Sequence, residues 1–233
     1  MNKGKDILVV SIMFVLSILL WNTFLLYPVK LFVVALHELS HGLASILVGG
    51  KIDHIQINYQ IGGYCAYYLP GDAGFFSKSI VASAGYLGSM IWGSLIFVLA
   101  SRTQWDRRIT LIIGCIMLIL SLFVIKSGEL FGILFCIFFA ALLFASYKWM
   151  SHGFHDIFLK FFGLTSCLYV IIDIKEDLID RTGIGSDADA IAKMLGSPSL
   201  SVPIGIVWII LALGVLFFTF KLSYKMRDTD KHR

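Results

Sequence analysis

Seven long apolar runs divide the sequence, and they constrain its fold more than any other feature. A helix needs about 20 apolar residues to cross the roughly 30 Å of hydrocarbon in a bilayer. The runs lie at about 7–27, 31–49, 79–100, 109–125, 129–147, 154–179 and 202–222. The pattern predicts an all-α polytopic membrane protein with seven transmembrane helices. Six is the alternative count, because only Lys126-Ser127-Gly128 separates the fourth run from the fifth.

The composition fits a single membrane domain over residues 1–233. Hydrophobic residues make up 58% of the chain and charged residues 15%, whereas a soluble domain has about 25% charged residues. The basic residues stand mostly at segment ends, where they anchor helices at the membrane surface, so we expect no nucleic-acid interface. The four cysteines form no close pair, and we assign them neither a disulfide nor a metal.

A different pattern lies between the second and third runs. Apolar residues recur at every second position from Ile55 to Ile61, Gly62-Gly63 follows, and Tyr64–Leu69 is rich in aromatic residues. Alternation around a glycine pair is typical of a β-hairpin. We therefore predict a small hairpin with its turn at the two glycines.

Two further patterns concern helix packing and helix ends. Gly85, Ser89 and Gly93 recur at intervals of four, which predicts a stripe of small residues where another helix backbone approaches closely. Ser186 precedes Asp189 at the spacing of a capping box. This predicts a short interfacial helix before the last span.

The segment with the most chemical content is His37-Glu38-Leu39-Ser40-His41 in the second run. Residues four apart share a helix face, so His37 and His41 can bind one zinc ion at about 2.0–2.1 Å each. Glu38 is placed to take a proton from water, as in the H-E-x-x-H motif of metalloproteases. Random shuffling of this composition produces the motif in roughly 0.2% of trials. Charged groups in a span cost on the order of 2.5 kcal/mol or more, which favours a functional role.

A catalytic zinc ion commonly takes a third protein ligand. The sixth run ends in four acidic residues that share one helix face: Asp173, Glu176, Asp177 and Asp180. At 1.5 Å per residue, Asp173 lies about 9 Å from the end of its helix and His41 about 12 Å from the end of its own, on the same side of the membrane. We therefore predict Asp173 as the third ligand, with Asp177 as the reserve.

Two other histidines offer the same type of ligand. His152 and His155 stand at the start of the sixth run, about 27 Å along the helix from its acidic end. The order of the spans puts that start on the opposite side of the membrane from His41. We interpret both as interfacial residues.

With these residues in hand, the chain resembles the site-2 protease class of intramembrane zinc metallopeptidases, and more closely the B-like bacterial branch of that class. The matching segments cover positions 31–95 and 165–195. They are His37-Glu38-Leu39-Ser40-His41-Gly42, Gly49-Gly50, the glycine-centred β segment, Ala84-Gly85-Tyr86-Leu87-Gly88, Asp173-Ile174-Lys175-Glu176-Asp177 and Gly185-Ser186-Asp187-Ala188.

The resemblance implies a hydrolase of the bacterial cell membrane that cleaves a peptide bond of a membrane-associated substrate with zinc-activated water. Glu38 would be the general base, and His37, His41 and an aspartate would hold Zn²⁺. It also implies that the hairpin at 54–69 binds substrate by strand addition. The chain departs from better-known members, since Asp173 is followed by isoleucine where they have a Leu-Asp-Gly motif.

Two other functions remain open from the sequence. The chain could be a non-proteolytic membrane scaffold or regulator that retains a metal site. It could also be a proton- or metal-coupled transporter, because intramembrane histidines and acids line ion paths as well. The sequence gives no evidence of the paired interrupted helices that many transporters have.

Overall fold

The computed structural model describes residues 3–177 and 185–224, and it is predominantly helical. Asp180, which belongs to the predicted acidic face of the sixth run, lies outside the described residues. The described part contains eight α-helices and two strands. In chain order these are α1 (Lys3–Leu19), α2 (Tyr27–Leu47), β1 (Lys51–Asn58), β2 (Gly62–Tyr68), α3 (Phe75–Arg102), α4 (Asp106–Ile125), α5 (Leu130–Trp149), α6 (His152–Lys175), α7 (Asp187–Met194) and α8 (Ser201–Tyr224).

The long helices correspond one to one to the seven predicted runs. Six of them are long and apolar enough to cross a membrane: α2, α3, α4, α5, α6 and α8. Helix α1 has 17 residues and is about 25 Å long. The predicted fold class is therefore confirmed, with a span count of six or seven.

The ends of α2, which carries the histidine motif, follow from its sequence. Pro28 stands in the first turn, where its missing N–H costs no hydrogen bond. At the other end Gly49 has φ of 87°, and the N–H of Gly50 donates to the carbonyl of Ser45 over 2.8 Å. Glycine adopts this left-handed conformation without strain, which ends the helix and turns the chain into β1.

The predicted hairpin is present, but its turn lies earlier than the glycine pair. Strands β1 and β2 pair antiparallel, and Gly62 and Gly63 belong to β2. The turn occupies residues 59–61, where Asn58 Oδ1 accepts hydrogen bonds from the N–H groups of Gln60 and Gly62. This side-chain turn replaces the expected glycine turn, and it leaves Ile61 with φ of 61°, an uncommon conformation for a β-branched residue.

Helix α3 packs closely on two helices at once through its small residues. At Gly93 an added Cβ would lie 2.8 Å from the carbonyl oxygen of Gly163 in α6. At Gly88 an added Cβ would overlap with the side chain of Ser40 in α2. The predicted small-residue stripe therefore does bring helix backbones together, and it fixes α2 against the early part of α3.

A buried ion-pair network joins α1 to α6. Lys160 is 5% exposed, and its Nζ lies 2.7 Å from both Asp6 Oδ1 and Asp156 Oδ1. Farther along the same pair of helices, the hydroxyls of Ser17 and Thr165 are 3.0 Å apart. Much of α1 is exposed and apolar, but Val10 and Met13 are buried in the core, so polar and apolar contacts together attach α1 to the bundle.

Candidate metal centre

The two histidines of α2 direct their Nε2 atoms to the same point beside α3. Their rings lie 4.9 Å apart between centroids, one helical turn from each other. Nδ1 of His41 is 2.7 Å from the carbonyl oxygen of Val81. Because a carbonyl only accepts, Nδ1 carries the proton, and Nε2 of the neutral ring keeps a free lone pair. The local fold therefore prepares His41 for binding a metal through Nε2.

A carboxylate from the far end of the chain completes the group. Asp187 Oδ2 lies 3.3 Å from Nε2 of His37 and 3.2 Å from Nε2 of His41. Within the described residues this is the group of three potential metal-binding side chains whose ligand atoms all lie within 4.8 Å of one another. Asp187 is the first residue of α7, a helix that immediately precedes α8.

The spacing of these three atoms fits a zinc ion. Two atoms that each lie about 2.0–2.1 Å from a tetrahedral zinc ion are about 3.3 Å apart, and the two measured separations are 3.2 and 3.3 Å. Asp187 Oδ2 is buried, and neither imidazole makes a hydrogen bond of acceptable geometry to it. Atoms that converge without pointing hydrogens at one another are arranged as ligands. Two imidazoles and a carboxylate are also a donor set that zinc accepts.

The carboxylate of Asp187 is in the ionised form that a metal ligand needs. Burial by itself would raise the pKa of Asp187, but His41 and His37 in their protonated form outweigh burial and lower the pKa below its usual range. A cation bound between neutral imidazoles would supply positive charge at the same place.

Gly85 leaves the space in which an ion would lie. A Cβ at this position would overlap with Nε2 of both His37 and His41. No side chain larger than hydrogen can therefore stand here without moving the histidines. The next residue, Tyr86, packs edge-on against His37, with ring centroids 4.9 Å apart. Helix α3 thus provides both the empty space and a wall of the group.

Glu38 lies between the histidines and the hairpin. It is 6% exposed, and its carboxylate accepts a hydrogen bond from the backbone N–H of Cys65 in β2. Gly63, which precedes it on the same strand, allows this approach, since an added Cβ would lie 3.1 Å from Glu38 Oε1. Burial raises the pKa of Cys65 to about 12, so its thiol is neutral near pH 7.

A cavity of about 520 Å³ connects these residues. His37, His41, Glu38 and Asp187 line it, and residues 58, 60–65 and 67 of the hairpin form one wall. The candidate metal centre is therefore accessible from this cavity, one side of which is formed by the hairpin.

Asp173 and Asp177 line the same cavity but do not join the three-residue group. Asp173 was predicted as the third ligand, but the carboxylate whose oxygen lies within 4.8 Å of both imidazoles is that of Asp187. The hydroxyl of Tyr169 donates to Asp173, and the hydroxyl of Tyr86 donates to Asp177 over 2.6 Å. Both carboxylates are thus engaged by tyrosines on the helices around them.

Asp187 was missed because the depth argument considered only acids within a span. The chain leaves α6 and brings Asp187 back to the histidines on the short helix α7, whose capping box of Ser186 and Asp189 was correctly predicted. The signal that could have found it was present. Asp187 directly follows the predicted N-cap residue, and it belongs to the Gly185-Ser186-Asp187-Ala188 segment on which the resemblance rests.

His152 and His155 lie at the other end of α6, away from the group, as the sequence indicated. His152 pairs with Asp106 at the start of α4 over 3.2 Å. His155 is buried, with Nδ1 3.0 Å from the hydroxyl of Thr110 and Nε2 3.2 Å from the carbonyl of Ser146. Both have structural partners that account for their positions.

The model of the Peptidase M50B-like family matches residues 10–219. The match includes the histidine motif, the hairpin and Asp187. No curated protein matches the chain, and no solved structure matches it either.

Proposed function

The chain belongs to the Peptidase M50B-like family, and from that premise we propose that it is a zinc metalloprotease that hydrolyses a peptide bond of a membrane-associated substrate. Membership makes it an integral membrane protein related to metallopeptidases. The activity itself is our proposal. The observation that carries it is the convergence of His37, His41 and Asp187 at zinc spacing, with Glu38 beside them in one cavity.

We propose His37, His41 and Asp187 as the zinc ligands. Zinc bound there would polarise the scissile carbonyl and lower the pKa of a water molecule. A carboxylate oxygen of Glu38 would take the proton from that water and pass it to the leaving amine nitrogen. The backbone N–H of Cys65 holds Glu38 in place for this role. The low exposure of Glu38 limits competing bulk water.

We further propose that the substrate joins the free edge of β2 as an added strand. In the part of the chain that the structure describes, β2 pairs with β1 alone. The N–H of Cys65 points to Glu38, and hence away from β1. Alternate residues of an antiparallel strand share this direction, so Gly63 and Tyr67 face the same way. An extended peptide on that edge would pair with Gly63 and Tyr67, on either side of the Cys65 N–H that bonds to Glu38, and would lie within the cavity beside the ligand group.

The proposed chemistry is tested by Glu38→Gln, with the protein in lipid vesicles and a panel of fluorescently labelled single-span peptides as probe. We expect the wild type to cleave at least one peptide, and a zinc chelator to abolish cleavage. Because the amide cannot take the proton, E38Q should lose about 10²–10⁴-fold in turnover. It should retain zinc, because Glu38 is not a ligand.

Glu129→Gln is the matched control, since Glu129 stands at the start of α5 outside the cavity. We expect its turnover to equal that of the wild type. Equal cleavage by E38Q would exclude Glu38 as the base. Zinc binding without cleavage of any peptide by the wild type would favour the scaffold function instead.

Strand addition is tested with a cleaved peptide that carries one backbone N-methyl group at successive positions. Each lost hydrogen bond should raise KM about two- to tenfold, and only at every second position, because alternate residues pair with β2. The peptides methylated in between are the control. A KM that does not alternate with position would exclude this mode of binding.

A further inference from the structure

The third proposed ligand stands on a helix too short to hold it without help. Helix α7 has eight residues, whereas isolated helices under about 12–15 residues are marginal in water. Ala188, Ile191 and Ala192 on its inner face are buried against the bundle. Asp187 is in the first turn, which frays most readily, so its position depends on how that turn is fixed.

Asp189 fixes the first turn with both oxygens of its carboxylate. Oδ2 accepts from the backbone N–H of Gly185 over 3.1 Å and from that of Ser186 over 3.0 Å. In return the N–H of Asp189 donates to the Ser186 hydroxyl over 3.2 Å, which completes the capping box. Gly185 has φ of 90°, a conformation that suits glycine at this bend. The backbone on both sides of Asp187 is thereby held by the side chains of Asp189 and Ser186.

The second oxygen of Asp189 ties the turn to α8. The hydroxyl of Ser201, the first residue of α8, donates to Asp189 Oδ1 over 2.5 Å. This hydrogen bond lowers the pKa of Asp189 below its usual range, so the carboxylate is ionised at neutral pH. Helix α8 is itself attached to the site, because Trp208 packs on Tyr86 with centroids 5.2 Å apart. Tyr86 in turn contacts His37.

We propose that Asp189 and Ser201 are positioning residues for the metal centre, which hold Asp187 at zinc-binding distance from the histidines. The inference rests on the ligand set proposed above. Neither residue contacts the histidines or lines the cavity. They act on the metal through Asp187, as residues that orient metal ligands do.

The test measures zinc dissociation constants of the full-length protein in detergent by competition with a chelator. We expect Asp189→Asn to weaken zinc binding about 10–100-fold and Ser201→Ala about tenfold, the range for residues that orient ligands. Ser201→Thr keeps the hydroxyl and should stay within about threefold of the wild type. In the cobalt-loaded protein, D189N and S201A should also change the visible absorption, which reports on coordination geometry.

Two exposed residues supply matched controls: Asp72→Asn and Ser199→Ala should bind zinc as the wild type does. A purely structural role would lower the melting temperature of metal-free D189N and S201A and leave their zinc affinity unchanged. That result would overturn the inference. So would zinc binding by S201T as weak as by S201A.

Asp187→Ala separates failure of this inference from failure of the proposed function. If D187A binds zinc as tightly as the wild type, or the wild type binds none, the ligand set is wrong and the inference falls with it. If D187A loses zinc while D189N and S201A retain wild-type affinity, the ligand set stands and the positioning role alone is overturned.

Discussion

Gly85→Ala should remove metal binding while leaving the fold almost intact. The added methyl would overlap with Nε2 of both His37 and His41, well inside the 3.0 Å below which real Cβ atoms essentially never approach other atoms. Restoring an ordinary contact requires the histidines or α3 to move by about 1 Å. Functional groups must hold their geometry to within about 0.5 Å. Zinc affinity should therefore fall at least about 100-fold, or about 2.7 kcal/mol.

The stability of the metal-free protein should change much less. Overpacking in a core costs about 1–3 kcal/mol, and alanine in a helix recovers about 0.5–1 kcal/mol relative to glycine. The net loss should be about 0–2.5 kcal/mol. Zinc affinity by chelator competition, and thermal unfolding without metal, measure the two effects separately.

Gly88→Ala is the matched control on the same face of α3. Its added Cβ would overlap with the side chain of Ser40 in α2, so the overpacking is similar, but it does not contact the histidines. We expect a comparable loss of stability and zinc affinity within about fivefold of the wild type, or about 1 kcal/mol. The reasoning would be refuted by wild-type zinc affinity in G85A, or by an equal loss of affinity in G88A.

Two further predictions concern the acidic residues of the site and the buried lysine. Asp187→Asn should weaken zinc binding at least about tenfold, because it removes a charged ligand. Asp173→Asn should bind zinc as the wild type does. If Asp173→Asn instead binds zinc more weakly than Asp187→Asn, Asp173 is the ligand. Lys160→Met should destabilise the protein by about 3–5 kcal/mol, because it leaves two aspartates of the network without their cation. Denaturant unfolding measures this loss of stability, and Lys126→Met, at an exposed position, is the control. Equal stability of Lys160→Met and Lys126→Met would show that the network contributes little.

The features that the sequence predicted are those encoded by local patterns. The length and apolar content of each run predicted the helices, and alternation from Ile55 to Ile61 predicted the hairpin. The capping-box spacing of Ser186 and Asp189 predicted α7. Helical periodicity placed His37 and His41 on one face, because residues four apart in a helix are neighbours whatever the rest of the chain does.

What the sequence did not predict depends on contacts between distant segments. Helix lengths gave similar depths for His41 and Asp173, but depth alone does not distinguish Asp173 from Asp187. The proposed ligand set depends on the tyrosine that engages Asp173 and on the position of α7, which places Asp187 beside the histidines. The stripe that contains Gly85 was correctly predicted to pack against another helix. That Gly85 itself faces the two histidines was not predicted, because it depends on how α2 packs against α3. The hairpin turn was misplaced because the Asn58 side chain substitutes for a glycine turn.

The position of Asp187 late in the chain bears on when the protein can acquire its activity during biosynthesis. About 150 residues separate it from His37, and at about 5–20 residues per second a ribosome needs roughly 8–30 s to add them. Throughout that time the nascent chain carries two of the three proposed ligands. The metal can be held fully only after most of the helices have been synthesised, so an early segment would enter the membrane as an inactive precursor. A delay of this kind would keep the proposed metal site incomplete until α7 has been synthesised.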